Sequence, residues 1–158
     1  MDKVLMSTGK DDWGTPQELY DELNKEFNFT LDACASTYNY KCDKYYTKEQ
    51  DGLNQSWKGE TVFCNPPYSK EGGQAKWIEK CYKEAKEQNI TVVALLPART
   101  DTKVFHNFVL GKAEIRFIKG RLKFEDENRN SKDAAPFPSM IVIYHGNKLS
   151  DKVIGFSN

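Results

Sequence analysis

Asn65-Pro66-Pro67-Tyr68 is the stretch that most constrains this chain. It follows directly on Thr61-Val62-Phe63-Cys64, a short apolar run of strand character. Proline has no N–H to extend a ladder, so the strand must end there in a stiff turn. A rigid turn by itself would account for the two prolines. The residues around them also suit a particular chemistry. An amino group on an aromatic ring is a poor nucleophile, because its lone pair is delocalised into the ring. Two acceptors that take its two hydrogens draw the nitrogen toward a tetrahedral, nucleophilic geometry. The Asn65 side-chain carbonyl and the Pro66 backbone carbonyl are such a pair, Pro67 stiffens the turn that carries them, and Tyr68 offers a flat face to an extruded base. These four residues are the candidate catalytic group.

The remaining pattern sets the turn in an α/β frame. Thr15-Pro16-Gln17-Glu18 reads as a helix start, with Thr15 as N-cap, Pro16 at the first helical position and Glu18 closing a capping box. Leu19, Leu23 and Phe27 then recur at four-residue spacing. Residues 28–34 read as a strand, with a weaker one at 44–47. A helix is expected near 74–88, a strand at 91–96 ended by Pro97, and a short helix near 102–110. Strands at 113–118 and 140–144 follow, the second being the last. Alternating strands and helices predict a single domain with a mostly parallel, Rossmann-like sheet flanked by helices. Ligands of such sheets sit at the carboxyl ends of the strands, where Asp32 and Asn65 both fall. Residues 1–11 read as a flexible lead-in, and the polar segment 125–132 as a mobile loop.

Composition narrows the class without naming a function. No window approaches 18 consecutive apolar residues, and the N-terminus has no apolar core of the signal-peptide kind, so a cytoplasmic chain with no membrane span is expected. The four cysteines form no C-x-x-C pair, so they are expected as free thiols and no metal site is expected. Basic and acidic residues balance at 23 each, so any contact with nucleic acid has to come from a local patch.

Beyond the turn, Trp13-Gly14-Thr15-Pro16 with Leu19-Tyr20 resembles the N-terminal Thr-Pro element of the DNA adenine amino-methyltransferases. Leu31-Asp32-Ala33-Cys34-Ala35 resembles their first cofactor motif, and Asp51-Gly52-Leu53 lies where they place an acid near the cofactor adenine. With Tyr45-Tyr46-Thr47, Leu96-Pro97-Ala98-Arg99-Thr100, Gly120-Arg121-Leu122-Lys123-Phe124 and Ala135-Pro136-Phe137-Pro138-Ser139, residues 11–144 resemble the compact phage-type DNA N-6-adenine methyltransferases, the Dam-like family. The resemblance implies S-adenosylmethionine as cofactor, double-stranded DNA as partner, and Trp13, Thr15, Pro16, Asp32, Cys34, Ala35 and Asp51 as cofactor-binding residues. The pattern departs from the family in having no glycine between Gly14 and Gly52, so that small Ala33, Cys34 and Ala35 stand where a glycine-rich loop would be. The acid for the cofactor ribose is left unassigned, with Glu49 as its candidate.

Residues 112–123 carry Lys112, Arg116, Lys119, Arg121 and Lys123 against Glu114 alone. Such a patch can neutralise phosphates, although a lysine-rich strand edge is an ordinary solvated feature. Lys119, Arg121 and, after Pro97, Arg99 are the candidate DNA-binding cations. Phe124 is a candidate to stack on a flipped adenine or fill its gap in the duplex. Two other readings stay open: an amino-methyltransferase acting on RNA or a protein glutamine, and a non-catalytic DNA-binding or anti-restriction protein that kept the fold.

Overall fold

The computed structural model describes residues 13–68 and 73–157. The lead-in expected at 1–11 lies outside the described residues. Among the described residues, three helices and seven strands follow in the order α1 (Gln17–Phe27), β1 (Leu31–Asp32), β2 (Lys44–Tyr45), β3 (Val62–Cys64), α2 (Gln74–Gln88), β4 (Thr91–Pro97), α3 (Lys103–Phe108), β5 (Glu114–Ile118), β6 (Ser139–His145) and β7 (Val153–Phe156). A 3-10 turn, Gly52–Asn54, precedes β3.

The strands form one mixed sheet in the order β2-β1-β3-β4-β6-β5-β7. The pairs β2·β1, β1·β3, β3·β4 and β5·β7 are parallel, whereas β6 runs antiparallel to both its neighbours. Helices flank both faces because the central strands are apolar on both sides. Along β4, Val92, Ala94 and Leu96 join one core with Trp77, Ile78, Cys81 and Ala85 of α2 and Phe105 of α3. Val93 and Leu95 alternate to the other side, against Leu19, Tyr20 and Leu23 of α1 and the buried Phe124. The four-residue stripe read for α1 is therefore its buried face.

Three elements differ from expectation. The strand expected over 28–34 shrinks to Leu31–Asp32, because the chain before it is used to close α1. Asn28 takes a left-handed φ of 54° and the Phe29 N–H donates to the Asn24 side chain at 2.8 Å. Strand β6 is not the last. The chain returns through β7, an edge strand with Val153 and Ile154 exposed, so its residues carry no inside/outside alternation to read. Thr15 is not the cap of α1. The N-cap position is Pro16, and the Gln17 N–H instead donates to the Glu125 carboxylate at 3.0 Å.

The ends of the sheet are fixed differently. At the amino ends of the parallel strands, Arg116 on β5 donates to Glu114 at 2.8 Å and to both carboxylate oxygens of Glu26 at 2.8 Å, and His145 lies 2.9 Å from Glu114. Arg116 is thus a buried structural residue and leaves the surface patch in which the sequence placed it. At the carboxyl ends a cleft opens. Among the described residues no helix is long and apolar enough to cross a membrane, and the four cysteines are free.

Candidate active site

The cleft has a volume of about 540 Å³ and is walled by the residues that follow β1, β2 and β3, with Trp13, Gly14 and Thr15 along one side. Its geometry begins with the Pro-Pro turn. The Asn65 Nδ2 donates to the Trp13 backbone carbonyl at 2.7 Å and to the Thr15 hydroxyl at 3.0 Å. A backbone carbonyl can only accept, so this pair fixes which end of the carboxamide faces the N-terminal element. The other end, Oδ1, is buried from solvent and accepts no hydrogen bond among the described residues. Leaving a buried acceptor unpaired costs about 1–3 kcal/mol. Such an atom calls for an explanation, and a missing donor supplies one. Thr15, 3% exposed, therefore holds the Asn65 amide rather than capping a helix.

Aromatic rings pack around the same corner. Tyr68 is 4% exposed and its hydroxyl donates to the Leu95 carbonyl at 3.2 Å. That burial holds the phenol well above its ordinary pKa. Trp13 lies on its face with centroids 6.5 Å apart and planes at 19°. Phe137 and Phe124 meet Tyr68 edge-on at 5.4 and 5.8 Å. The face expected to receive a base is thus already covered, and Trp13 and Phe137 are the partly exposed rings of the cluster. Phe124, fully buried, supports Tyr68 from behind, which corrects its reading as a residue that reaches into a duplex.

On the far wall, Asp32 closes β1 and turns its carboxylate inward. Its Oδ2 accepts from the Lys41 N–H at 3.0 Å. Burial pushes its pKa up to about 7, a rise opposed by the Lys41 and Cys34 N–H groups. Asp32 thereby pins both ends of the segment 34–41 that lines the cleft. Gly52 closes the wall: a Cβ there would lie 2.2 Å from the Ala33 carbonyl oxygen, so only glycine lets the two backbones meet. Ala33, Cys34 and Ala35 line the cleft with no glycine-rich loop.

Of the residues read from sequence, the cleft gathers Trp13, Thr15, Asp32, Cys34, Ala35, Asp51, Asn65 and Pro67. Pro66 and Tyr68 are buried beside it. Pro16 does not line it; it sits at the α1 N-terminus, on a second groove. Glu49 is exposed and outside the cleft, since β2 stops at Tyr45 and Tyr46, Thr47 and Lys48 supply the lining after it. The acids that do line the cleft are Asp32, Asp51 and Glu127.

Sequence reasoning passed over Asn39, Glu125 and Lys41, which sit in polar runs with no periodicity to single them out. Glu125 exchanges backbone hydrogen bonds of 2.8 Å with Gly14. Its side chain also meets Lys41, whose amine donates to Gln17 at 2.8 Å. Within the segment 125–132, expected as a mobile loop, Glu125 bridges to both Ser131 and Gly14, which ties down the N-terminal element.

Lys119 and Arg121 are exposed and, with Lys123 and Arg129, line the second groove alongside Pro16, Gln17 and Glu18. Arg99 is exposed on the other side of the aromatic cluster, its guanidinium 5.9 Å over the Phe137 ring.

Fold and site together define an α/β protein with a ligand cleft at the strand ends and an amide-bearing Pro-Pro turn in its wall. Residues 3–158 match the family described as DNA N-6-adenine-methyltransferase (Dam), and the chain belongs to that family. It is 32% identical over 139 residues to the DNA N-6-adenine-methyltransferase of Haemophilus phage HP1 (strain HP1c1), covering 85% of this chain and 79% of that one. It is 35% identical over 115 residues to the DNA N-6-adenine-methyltransferase of Escherichia phage T1, covering 72% of this chain and 47% of that one.

Proposed function

We propose that the chain, folded as one Rossmann-like domain, transfers a methyl group from S-adenosylmethionine to the N6 amine of adenine in double-stranded DNA. The observation that carries this reading is the Asn65 carboxamide, tethered through Nδ2 and, among the described residues, unpaired at Oδ1. The residues suit such a donor, because the cleft is lined by the Asn39 carboxamide and the carboxyl groups of Asp32, Asp51 and Glu127, and Gly52 keeps one wall at backbone level.

When bound, the donor supplies a methyl carbon activated by a sulfonium. The chain's own residues do the rest. Asn65 Oδ1 accepts one hydrogen of the target amine, and the Pro66 carbonyl is placed by the stiff turn to accept the other. The nitrogen lone pair is then turned out of conjugation toward the methyl carbon. Trp13 and Thr15 hold Asn65 so that no reorganisation is needed at the moment of reaction. Because the carbon attacked is already activated, no side chain has to remove a proton before the bond forms.

An adenine can lie on Tyr68 only after the Trp13 indole gives way, so Trp13 is the first ring an extruded base meets. Arg99 at the rim of this cluster, and Lys119 and Arg121 with their neighbours in the second groove, are the residues we assign to phosphates.

Labelled methyl transfer from S-adenosylmethionine to unmethylated DNA tests the reading. Label is expected in N6-methyladenine. Label found instead in RNA or in a protein glutamine would overturn the substrate, and absence of both transfer and donor binding would overturn the enzyme.

A further inference from the structure

A second carboxamide in the cleft is as unusual as that of Asn65. Asn39 lines the cleft, and its Oδ1 is buried from solvent with no hydrogen-bond donor among the described residues. Its position is not accidental. The Asn39 N–H donates to the Ser36 hydroxyl at 3.1 Å, closing a turn, and two residues later the Lys41 N–H is held by Asp32 at 3.0 Å. The side chain packs on the backbone of Gly14, where a Cβ would stand 1.9 Å from the Asn39 Nδ2. Gly14 is itself clamped to Glu125 by two hydrogen bonds of 2.8 Å. Glycine at 14 makes room for this amide, and the surrounding bonds hold it still.

Gly14 also locates Asn39 relative to the chemistry. Its neighbours on either side, Trp13 through its carbonyl and Thr15 through its hydroxyl, are the two groups that anchor Asn65. The Asn39 carboxamide therefore lies against the element that anchors Asn65. On the reading proposed above, the methyl-bearing sulfur lies near Asn65. The part of the donor that continues past the sulfur, away from the nucleoside, is its amino-acid tail. That tail has one group that donates hydrogen bonds, the α-ammonium, and one that only accepts, the carboxylate. A carbonyl oxygen pairs with the first and repels the second.

We infer that Asn39 is a donor-binding residue that receives the α-ammonium of the methyl donor's amino-acid end on its side-chain oxygen. Asp32, on the same cleft, offers a carboxyl group, and Asn39 adds a second acceptor without burying a second charge beside it. Lys41, the cation of this segment, is already engaged with Glu125 and Gln17.

The inference rests on the donor reading, and three thioethers separate the two. Titration calorimetry would compare wild type, Asn39→Ala and Asn39→Leu, the last keeping the volume against Gly14 while removing the acceptor. The ligands are S-adenosylhomocysteine, its decarboxylated analogue, which keeps the amine, and 5′-methylthioadenosine, which lacks the tail. Thermal melts establish that each variant is folded. For the first two ligands, loss of a hydrogen bond to a charged group weakens binding about tenfold or more. Binding of 5′-methylthioadenosine is expected to change less than about twofold, the scale of a lost contact with no polar partner. Equal loss on all three ligands, or none, would overturn the role of Asn39 and leave the donor reading standing. Loss on S-adenosylhomocysteine alone would assign the residue to the carboxylate and overturn the inference as stated. A wild-type protein that binds none of the three would overturn both.

Discussion

The two ends of the sheet treat buried polar groups in opposite ways. At the amino ends of the parallel strands, Glu26, Arg116, Glu114 and His145 form a chain of bonds of 2.8–2.9 Å in which each guanidinium nitrogen meets a carboxylate. There the Arg116 hydrogen bond lowers the pKa of Glu26, and at Glu114 burial raises it but the bonds to Arg116 and His145 prevail and lower it. At the carboxyl ends, Asn65 and Asn39 keep unpaired oxygens, and burial pushes Asp32 up to about 7. Among the described residues, one end pairs its buried charges and the other leaves acceptors unmet. A fold stable enough to tolerate that deficit can hold acceptors ready for a ligand, and the deficit marks the site more sharply than charge or cleft size does.

The comparison can be broken most forcefully at the paired end. Arg116→Ala leaves Glu114 buried with only His145 beside it, and is expected to cost about 3 kcal/mol of stability. The urea midpoint checks it, with methyl transfer retained well below the unfolding transition. A change under about 1 kcal/mol, the scale of an exposed pair, would show the network to be ornamental.

Thr15→Val is the next in size. It removes one of the two acceptors on Asn65 Nδ2 while keeping the side chain's shape. The loss of roughly 1 kcal/mol of positioning should lower kcat about fivefold with little change in KM or melting temperature. Were the hydroxyl only a helix cap, stability would fall and kcat would not.

The last test is the pH dependence of Asp32. Its pKa rises from 3.8 to about 7 on folding, so the folded state favours the protonated form. Its stabilising contribution is therefore full below about pH 4 and is lost as the pH rises through about 7. Relative to wild type, Asp32→Asn should gain melting temperature steadily across that window and level off above it. A difference independent of pH would mean that the carboxylate is ionised in the folded protein throughout.

Much of this architecture was legible in the sequence, and the parts that were not share a cause. Helix α2 and strand β4 were readable because each carries a long, regular apolar pattern into a core. The Pro-Pro turn was readable because proline chemistry is local. Strand β7 was missed because an exposed edge imposes no alternation. Arg116 was misread because ion pairing with Glu26, ninety residues away, leaves no trace at short range. Within the site, the cleft gathers Asp32 and Asn65 as the strand-end rule implied, yet the function of Thr15 was hidden behind an ordinary capping pattern. Asn39 had no signal except its place in a polar run, since what distinguishes it is an absent partner, a property of the packed structure.

The central claim is that the unpaired Asn65 oxygen activates the target amine, and Asn65→Ala tests it most directly. Methyl transfer to adenine, binding of S-adenosylhomocysteine and thermal melting should be measured on the same preparation. Transfer is expected to fall by at least roughly a hundredfold, as when a preorganised polar group aimed at developing charge is removed. Binding should stay within about threefold, a difference of well under 1 kcal/mol, and melting within a few degrees. Transfer that survives, or that falls only in step with binding and stability, would contradict the account.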